Sequence, residues 1–216
     1  MSEHNPALAH QFDDMAQQFE ASEIGMWIFL GTEIMFFGGM FTGYGIYRYL
    51  YAEAFAVASN HLPAWAGAVM TVILICSSLT MAMAVHTSKV GNRRGLMIFV
   101  SLTMILGAIF LGLKFFEYYQ HYEEHLVPGP NFRFEGASPA QAEIFMSFYY
   151  AMTGMHALHM TVGLGLLTYL LVASSRDRFS AEYHTPVEIV GLYWHFVDIV
   201  WIFLFPLLYL AGRHIS

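Results

Sequence analysis

Ionisable side chains lie inside long apolar stretches of this 216-residue sequence, and their spacing is the first indication of a function. His156 and His159 are three residues apart, so they project to similar sides of one helix. His195 and Asp198 have the same spacing nearer the carboxyl end. Imidazoles at such positions could bind haem or a metal ion, whereas intramembrane acids could carry protons or hold neighbouring helices.

A metal or haem site needs more than this pattern. A catalytic metal site takes three protein ligands held by further hydrogen bonds, and haem in a helical bundle takes axial ligands from facing helices. His195 could in principle supply one such ligand. Neutral histidines also act as ordinary interhelical hydrogen-bonding groups, and we favour that interpretation for His156 and His159. We expect Asp198 to form a buried hydrogen bond with His195 that fixes the rotation of the last helix.

Three further acids and one lysine belong to the same set. Glu33 lies about ten residues into the first apolar stretch, where a charged acid costs about 2.5–3.5 kcal/mol, so we expect it to be neutral or paired. It could belong to a proton pathway or anchor a lipid or a helix, and we favour the anchor. Glu188 lies on the same helix stripe as His195. Lys114 and Glu117 predict an ion pair near a membrane boundary, with the lysine reaching towards the interface.

Five apolar stretches position these groups, and each is long enough to cross a membrane. A helix rises about 1.5 Å per residue, so about 20 residues cross the roughly 30 Å hydrocarbon core. The predicted spans are approximately residues 24–47, 64–86, 96–119, 143–172 and 186–211. The sequence therefore predicts an all-α integral membrane bundle of five transmembrane helices, with a tail over residues 1–22 and one domain over residues 23–213.

Composition agrees with a membrane bundle and excludes several other classes of protein. Hydrophobic residues make up 57% of the chain and charged residues 12%, against a charged share of roughly 25% in soluble domains. The single cysteine, Cys76, excludes internal disulfides, thiolate-held iron–sulfur clusters and a two-cysteine copper site. The sequence has no basic patch for nucleic acid and no nucleophile motif, phosphate loop or dinucleotide fingerprint. We therefore expect no nucleic-acid partner and no catalytic residue in this chain.

The distribution of lysine and arginine outside the spans predicts the topology. Five of them fall on the side of the tail and three on the opposite side. This excess predicts an amino terminus inside the cell and a carboxyl terminus outside. Within the tail we expect either a short amphipathic helix at the membrane surface or against a partner, or disorder.

Two local features concern packing within the spans. Gly39 and Gly43 form a pair of small residues four apart, which predicts a close helix approach. Pro206 interrupts the last apolar stretch and should loosen its final turns, as neighbouring helices permit.

The chain also strongly resembles subunit III of the haem–copper terminal oxidases, in the shorter bacterial five-helix form. The resemblance covers residues 21–211 in order, and its last segment, Tyr-Trp-His-Phe-Val-Asp, is the most specific. The segments that carry it are Leu30–Phe37, Ser77–Thr80, Gly107–Gly112 with Glu117–Tyr118, Thr153–His159, and Glu188 with Tyr193–Trp201.

The resemblance implies a bundle with a V-shaped cleft that holds phospholipids and lies against the catalytic subunit I. It implies a chain without haem or copper, both of which are expected in partner subunits I and II. The implied partners also include small subunits, phospholipids and the bacterial inner membrane. The implied role is to stabilise the oxidase, to support proton uptake and to protect the catalytic site during turnover.

The resemblance also assigns residues. The family's cleft glutamate corresponds to Glu33, and its fifth-span acid corresponds to Glu188. Arg178 stands where longer relatives have a basic lipid contact, but Ala173 stands at the neighbouring basic position.

Three alternatives stay open at this point. The chain could be an accessory subunit of a quinol oxidase or of a nitric oxide reductase. It could be a stand-alone haem or metal protein using His156, His159 and His195. It could be a transporter or proton channel working through Glu33 and Glu188, although the sequence has no internal repeat of broken helices.

Overall fold

The computed structural model of the protein describes residues 10–134, 138–179, 183–210 and 212. Within these residues the helices are α1 (Met15–Leu50), α2 (Ala52–His61), α3 (Ala64–Lys89), α4 (Arg93–Glu123), α5 (Pro139–Ser175) and α6 (Thr185–Phe205), and α6 continues into a π-helical turn (Pro206–Leu210). Five of these helices, all except α2, are long and apolar enough to cross a membrane. This confirms the predicted all-α membrane bundle.

The helices are longer than the predicted spans. Hydropathy detects only the apolar part of a helix, and the ends of these helices are polar. α1 begins at Met15, where the side chain of Asp14 accepts a hydrogen bond from the backbone N–H of Gln17 (2.7 Å). The described part of the tail from Met15 onwards is therefore the start of α1 and no separate helix. α1 runs through the proposed boundary at residue 22, and the division into tail and domain stays a prediction. Residues 1–9, 135–137, 180–182, 211 and 213 of that division lie outside the described residues.

α6 is the central helix, and α1 is the peripheral one. α6 packs against α1, α3 and α5, whereas α3 packs on α4 and α4 packs on α5. The apolar window of α6 is 56% buried inside the protein, compared with 11% for α1. α1 and α3 lie on different sides of α6, and a groove remains between them.

Trp194 ties four helices together at the centre of the bundle. Its indole Nε1 donates to Ser77 Oγ on α3 at 2.9 Å. Its ring lies against Gly107 on α4 and Gly163 on α5, where an added Cβ would come within 2.7 Å and 2.8 Å of the indole carbons. α4 and α5 therefore approach the indole this closely because these two positions have no side chain.

Among the described residues, the close approach that Gly39 and Gly43 allow occurs at Gly43 alone. A Cβ added at Gly39 would meet nothing within 4 Å, whereas one at Gly43 would lie 3.3 Å from the ring of Phe148. Tighter contacts than at Gly43 occur at Gly107 and Gly163 against Trp194, and also at Gly67 against Phe205 and at Gly191 against Val85.

The end of α6 is irregular, and two neighbouring helices satisfy its free carbonyls. Pro206 has no backbone N–H, and the π-helical turn begins at this residue. Tyr44 on α1 donates its hydroxyl to Leu207 O (2.8 Å), and Ser59 on α2 donates to Leu208 O (2.7 Å). α2 therefore stabilises the irregular end of α6. The hydropathy of the sequence could not predict this contact.

Candidate functional site

Glu33 on α1 pairs with His159 on α5. Glu33 Oε2 lies 3.1 Å from His159 Nε2, and the two side chains are 19% and 14% exposed. His159 Nδ1 lies 2.9 Å from the carbonyl oxygen of Met155. A carbonyl oxygen only accepts, so Nδ1 carries a proton and a further proton must lie between Nε2 and Oε2. The pair is therefore neutral overall and shares one proton in a hydrogen bond of ordinary length.

Aromatic rings surround this pair. The hydroxyl of Tyr193 on α6 donates to His159 O (2.9 Å), and the ring of Phe37 lies 5.4 Å from the imidazole. The pair thus joins α1, α5 and α6 at one level.

Lys114 and Glu117 on α4 lie in a second polar cluster. Lys114 Nζ donates to Glu117 Oε2 (3.1 Å) and to the hydroxyls of Tyr149 (2.8 Å) and Tyr209 (2.8 Å). Tyr209 in turn donates to Glu117 Oε1 (2.7 Å). The lysine side chain is 1% exposed, so the expectation that it reaches towards the interface is wrong. Three oxygen atoms accept hydrogen bonds from its ammonium group inside the bundle. The side chain therefore does not have to reach the membrane–water interface to be solvated.

His195 and Asp198 on α6 lie side by side but do not form the expected pair. His195 Nδ1 lies 2.7 Å from Ser78 Oγ on α3. Asp198 is 3% exposed, and neither of its oxygens has a hydrogen-bond partner in the described part of the chain, although Ser78 is close to it. The expected pair is replaced by a contact between helices, because Ser78 Oγ lies within hydrogen-bond distance of the imidazole Nδ1.

His156 is a packing residue. It is 1% exposed, and neither ring nitrogen has a hydrogen-bond partner among the described residues. Its ring packs against Phe110 (5.5 Å between centroids) and Trp201 (5.3 Å). The interhelical hydrogen bond expected of His156 is therefore not formed with any described residue. Nor do those residues bring three or more His, Cys, Asp or Glu side chains together as a metal site.

The remaining predicted residues lie near one end of the bundle. Glu188 on α6 forms an ion pair with Lys89 on α3 and lies 3.8 Å from His184 Nε2. Arg178 is exposed in the turn after α5, and its backbone N–H donates to the buried Ala173 (3.2 Å). Glu188 and Arg178 are therefore separate from the Glu33 pair at mid-span.

Several residues of these clusters were not singled out from the sequence. They are Ser78, Tyr149, Tyr209 and Trp194, of which Ser78 and Trp194 appear only within motifs. A tyrosine or serine in an apolar span is ordinary by composition. The role of such a residue becomes clear only from the polar group that it faces on another helix. The sequence alone does not give that position.

A groove lies between α1 and α3, with α6 as its floor. It consists of a cavity of about 480 Å³ between α1 and α6, one of about 380 Å³ between α3 and α6, and one of about 450 Å³ beside Glu188. His195 lines all three cavities, so they adjoin one another along α6. We call this feature the α1–α3 groove and define it by Ile34, Leu79, Leu192, His195, Asp198 and Ile199.

Comparison with known proteins identifies the family. The profile of the family "Cytochrome c oxidase subunit III" matches residues 13–213. The chain is 31% identical over 189 residues to "Quinol oxidase subunit 3" of Bacillus subtilis (strain 168), which covers 88% of the chain and 86% of that relative. It is 34% identical over 188 residues to "Cytochrome c oxidase subunit 3" of Corynebacterium diphtheriae (86% of each protein), and 32% identical over 191 residues to the Thermostichus vulcanus protein of the same name (88% and 87%). These matches confirm the resemblance: the chain belongs to the cytochrome c oxidase subunit III family.

Proposed function

We propose that this chain is the non-catalytic subunit III of a respiratory haem–copper oxygen reductase of the cytochrome c oxidase type. It stabilises the catalytic subunit I during aerobic electron transport, and haem and copper are bound by partner subunits I and II. The observation that carries this proposal is the family match over residues 13–213. The complex lies in a bacterial inner membrane, with the amino terminus of this chain in the cytoplasm and its carboxyl terminus outside.

Lipid binding and proton uptake are further parts of the proposal. Glu33 and His159 hold a proton in a bond that is partly exposed, which suits a group that exchanges protons with a neighbouring chain or lipid. Arg178 is exposed beside α5, where its guanidinium can bind a phospholipid headgroup. These residues support the catalytic subunit and take no part in the reduction of oxygen itself.

A second candidate is the same accessory role in a quinol oxidase. It is favoured by the relative from Bacillus subtilis, which is named "Quinol oxidase subunit 3", and by a relative from Staphylococcus haemolyticus, 30% identical, which is named "Probable quinol oxidase subunit 3". A third candidate is the same accessory role in a nitric oxide reductase complex. A stand-alone haem protein has less support, because His156, His159 and His195 have three different environments.

We expect the chain purified from its own membranes to emerge in a complex with haem- and copper-containing subunits. A native mass spectrum, together with an optical spectrum and metal analysis, checks this. The matched control is the chain separated from its complex, which should give no Soret band and no stoichiometric metal. Haem retained by the separated chain, or purification without any oxidase subunit, contradicts the proposal.

Glu33→Gln should leave assembly intact and change oxygen turnover or lipid retention modestly, by less than about threefold, the scale of one interhelical hydrogen bond in a membrane. The glutamine amide still donates to His159 Nε2, so the anchor remains while the exchangeable proton is lost. Steady-state oxygen consumption and phospholipid content of the purified complex are the measurements.

Glu33→Leu is the matched control, because it removes both the anchor and the proton. We expect it to lower complex yield more than Glu33→Gln does. Complete loss of oxygen reduction in the glutamine variant, with normal assembly, contradicts an auxiliary role for this chain.

A further inference from the structure

We propose that Tyr209 is a one-electron redox site, at which the oxidised phenol passes its proton to Glu117 and becomes a neutral radical. A chain of contacting aromatic rings connects this site with the surface where α4 and α5 meet. The proposal rests on the proposed function, because a haem-containing partner subunit supplies the oxidant. It gives a role to the cluster around Lys114, which the binding of lipid and the docking of subunits do not require.

The first observation is the hydrogen bond from Tyr209 to Glu117. The phenol donates to the carboxylate Oε1 at 2.7 Å, and the side chain of Glu117 is 5% exposed. A phenol that loses one electron becomes strongly acidic, so its oxidation is easiest where a base takes the proton at once. A buried carboxylate that is already bonded to the phenolic O–H is such a base.

The second observation is the position of the Lys114 ammonium group. It donates to the Tyr209 hydroxyl at 2.8 Å and lies 5.4 Å from the centre of that ring and 5.3 Å from the ring of Trp201. A fixed positive charge so close disfavours a second positive charge on either ring. The product of oxidation is therefore a neutral phenoxyl group. Trp201 donates its N–H to the hydroxyl of Thr71 (3.1 Å), which is not a base, so we expect the radical on Tyr209 and not on the indole.

The third observation is a chain of aromatic rings from Tyr209 to the surface. Ring centroids are 6.3 Å apart between Tyr209 and Tyr149, and 5.2 Å apart between Tyr149 and Tyr150. Tyr118 lies 5.1 Å from Tyr150. Tyr209 and Tyr149 are fully buried, whereas Tyr118 on α4 and Tyr150 on α5 are partly exposed. Because electrons tunnel readily between rings in contact, an electron can leave Tyr209 or return to it along this chain.

The reaction at this site transfers one electron and one proton. The electron goes from Tyr209 to an aromatic side-chain radical of a partner haem subunit, which is thereby reduced. The phenolic O–H bond breaks, and an O–H bond forms on Glu117. A one-electron reductant at the surface, such as ascorbate, returns an electron through Tyr150, and the proton moves back to the phenol. The site can therefore take up oxidising equivalents that escape from the catalytic subunit.

Flash photolysis of the purified full-length chain tests the redox site. Ruthenium tris(bipyridine) with persulfate generates a one-electron oxidant, and electron paramagnetic resonance measures the yield of tyrosyl radical. We expect a long-lived radical whose yield falls several-fold in Tyr209→Phe. Tyr44→Phe and Tyr119→Phe are the matched controls and should keep it. Tyr44 is equally buried but donates to the carbonyl oxygen of Leu207 (2.8 Å), and Tyr119 donates to a carboxylate but is exposed (57%).

Glu117→Gln tests the proton acceptor. The glutamine still accepts from the Tyr209 hydroxyl but is not a base, so the radical yield per folded chain should fall several-fold. A purely structural role of Glu117 would leave that yield unchanged. Circular dichroism of the same samples measures the folded fraction. If the single variant does not fold, Lys114→Met with Glu117→Gln repeats the test, because this pair of changes leaves neither charge of the ion pair without its partner.

The outcomes separate the redox site from the proposed function. A radical yield that Tyr209→Phe or the folded glutamine variant leaves unchanged overturns the proposal. In the assembled complex, hydrogen peroxide replaces the photosensitiser, and we expect the same radical, dependent on Tyr209. Its absence there overturns the assignment of the partner as the source of the oxidant. If the chain purifies without any haem subunit, the proposed function fails, whereas the flash experiment still decides the redox site.

Discussion

Lys114→Met should destabilise the bundle by about 3–5 kcal/mol, the cost of breaking a buried ion pair from one side. The variant leaves the carboxylate of Glu117, 5% exposed in its side chain, without its counter-ion. Tyr149 and Tyr209 lose the ammonium group that both hydroxyls accept from. Methionine has a similar length, so the loss comes mainly from charge. Thermal unfolding of the purified chain in detergent, followed by circular dichroism, is the measurement.

The double variant Lys114→Met with Glu117→Gln provides the control. It removes both charges while the glutamine still accepts from the hydroxyl of Tyr209. We expect it to recover most of the lost stability, because a neutral replacement of a buried pair is often close to neutral in free energy. A single variant as stable as the double one contradicts the view that Lys114 serves to neutralise Glu117.

The Lys114 cluster also illustrates what the sequence could and could not predict. The spacing of Lys114 and Glu117 placed both on one helix face, and the structure has them 3.1 Å apart. Their depth was misjudged because the apolar stretch ends near residue 119, whereas α4 continues to Glu123 and the last turn of α6 covers the cluster. Hydropathy locates the end of an apolar segment but not the neighbouring helix that buries it.

The five spans were predictable because a membrane interior leaves few alternatives. Every backbone polar group must be satisfied within the segment, so a long apolar stretch is a helix whatever its neighbours are. α2 was missed because its ten residues, Ala52–His61, are too short and too mixed in composition to give such a signal. Its position depends on Ser59 meeting Leu208, residues that are 149 apart in the chain.

Interhelical partners were the least predictable feature. Glu33 was expected to be neutral or paired, but His159 is 126 residues away and only the packing of α1 on α5 brings the two together. We predicted a contact between His195 and Asp198 because Asp198 is the nearest polar residue in the sequence. Ser78, 117 residues from His195, is the nearer one in space.

Trp194→Ala should cost about 3–5 kcal/mol, the usual range for a large aromatic residue removed from a packed core. The indole is fully buried and contacts α3, α4 and α5 at once, so its loss leaves a cavity that no single helix can close. We expect lower yield of folded chain and a lower unfolding temperature in detergent. Because the cavity lies inside this chain, the isolated subunit should be affected as much as the complex.

Two glycine-to-alanine variants on α5 distinguish the effect of packing against Trp194 from the effect of helix propensity on stability. Gly163→Ala adds a Cβ within 2.8 Å of the indole, whereas a Cβ at Gly165 would meet nothing within 4 Å. Overpacking of this kind costs about 1–3 kcal/mol, so Gly163→Ala should lower the unfolding temperature while Gly165→Ala leaves it unchanged or raises it. Trp194→Phe, which removes the part of the ring that the new Cβ meets, should reduce the penalty of Gly163→Ala. Equal effects at the two glycines would mean that backbone propensity, and not the fit around Trp194, sets the distance between these helices.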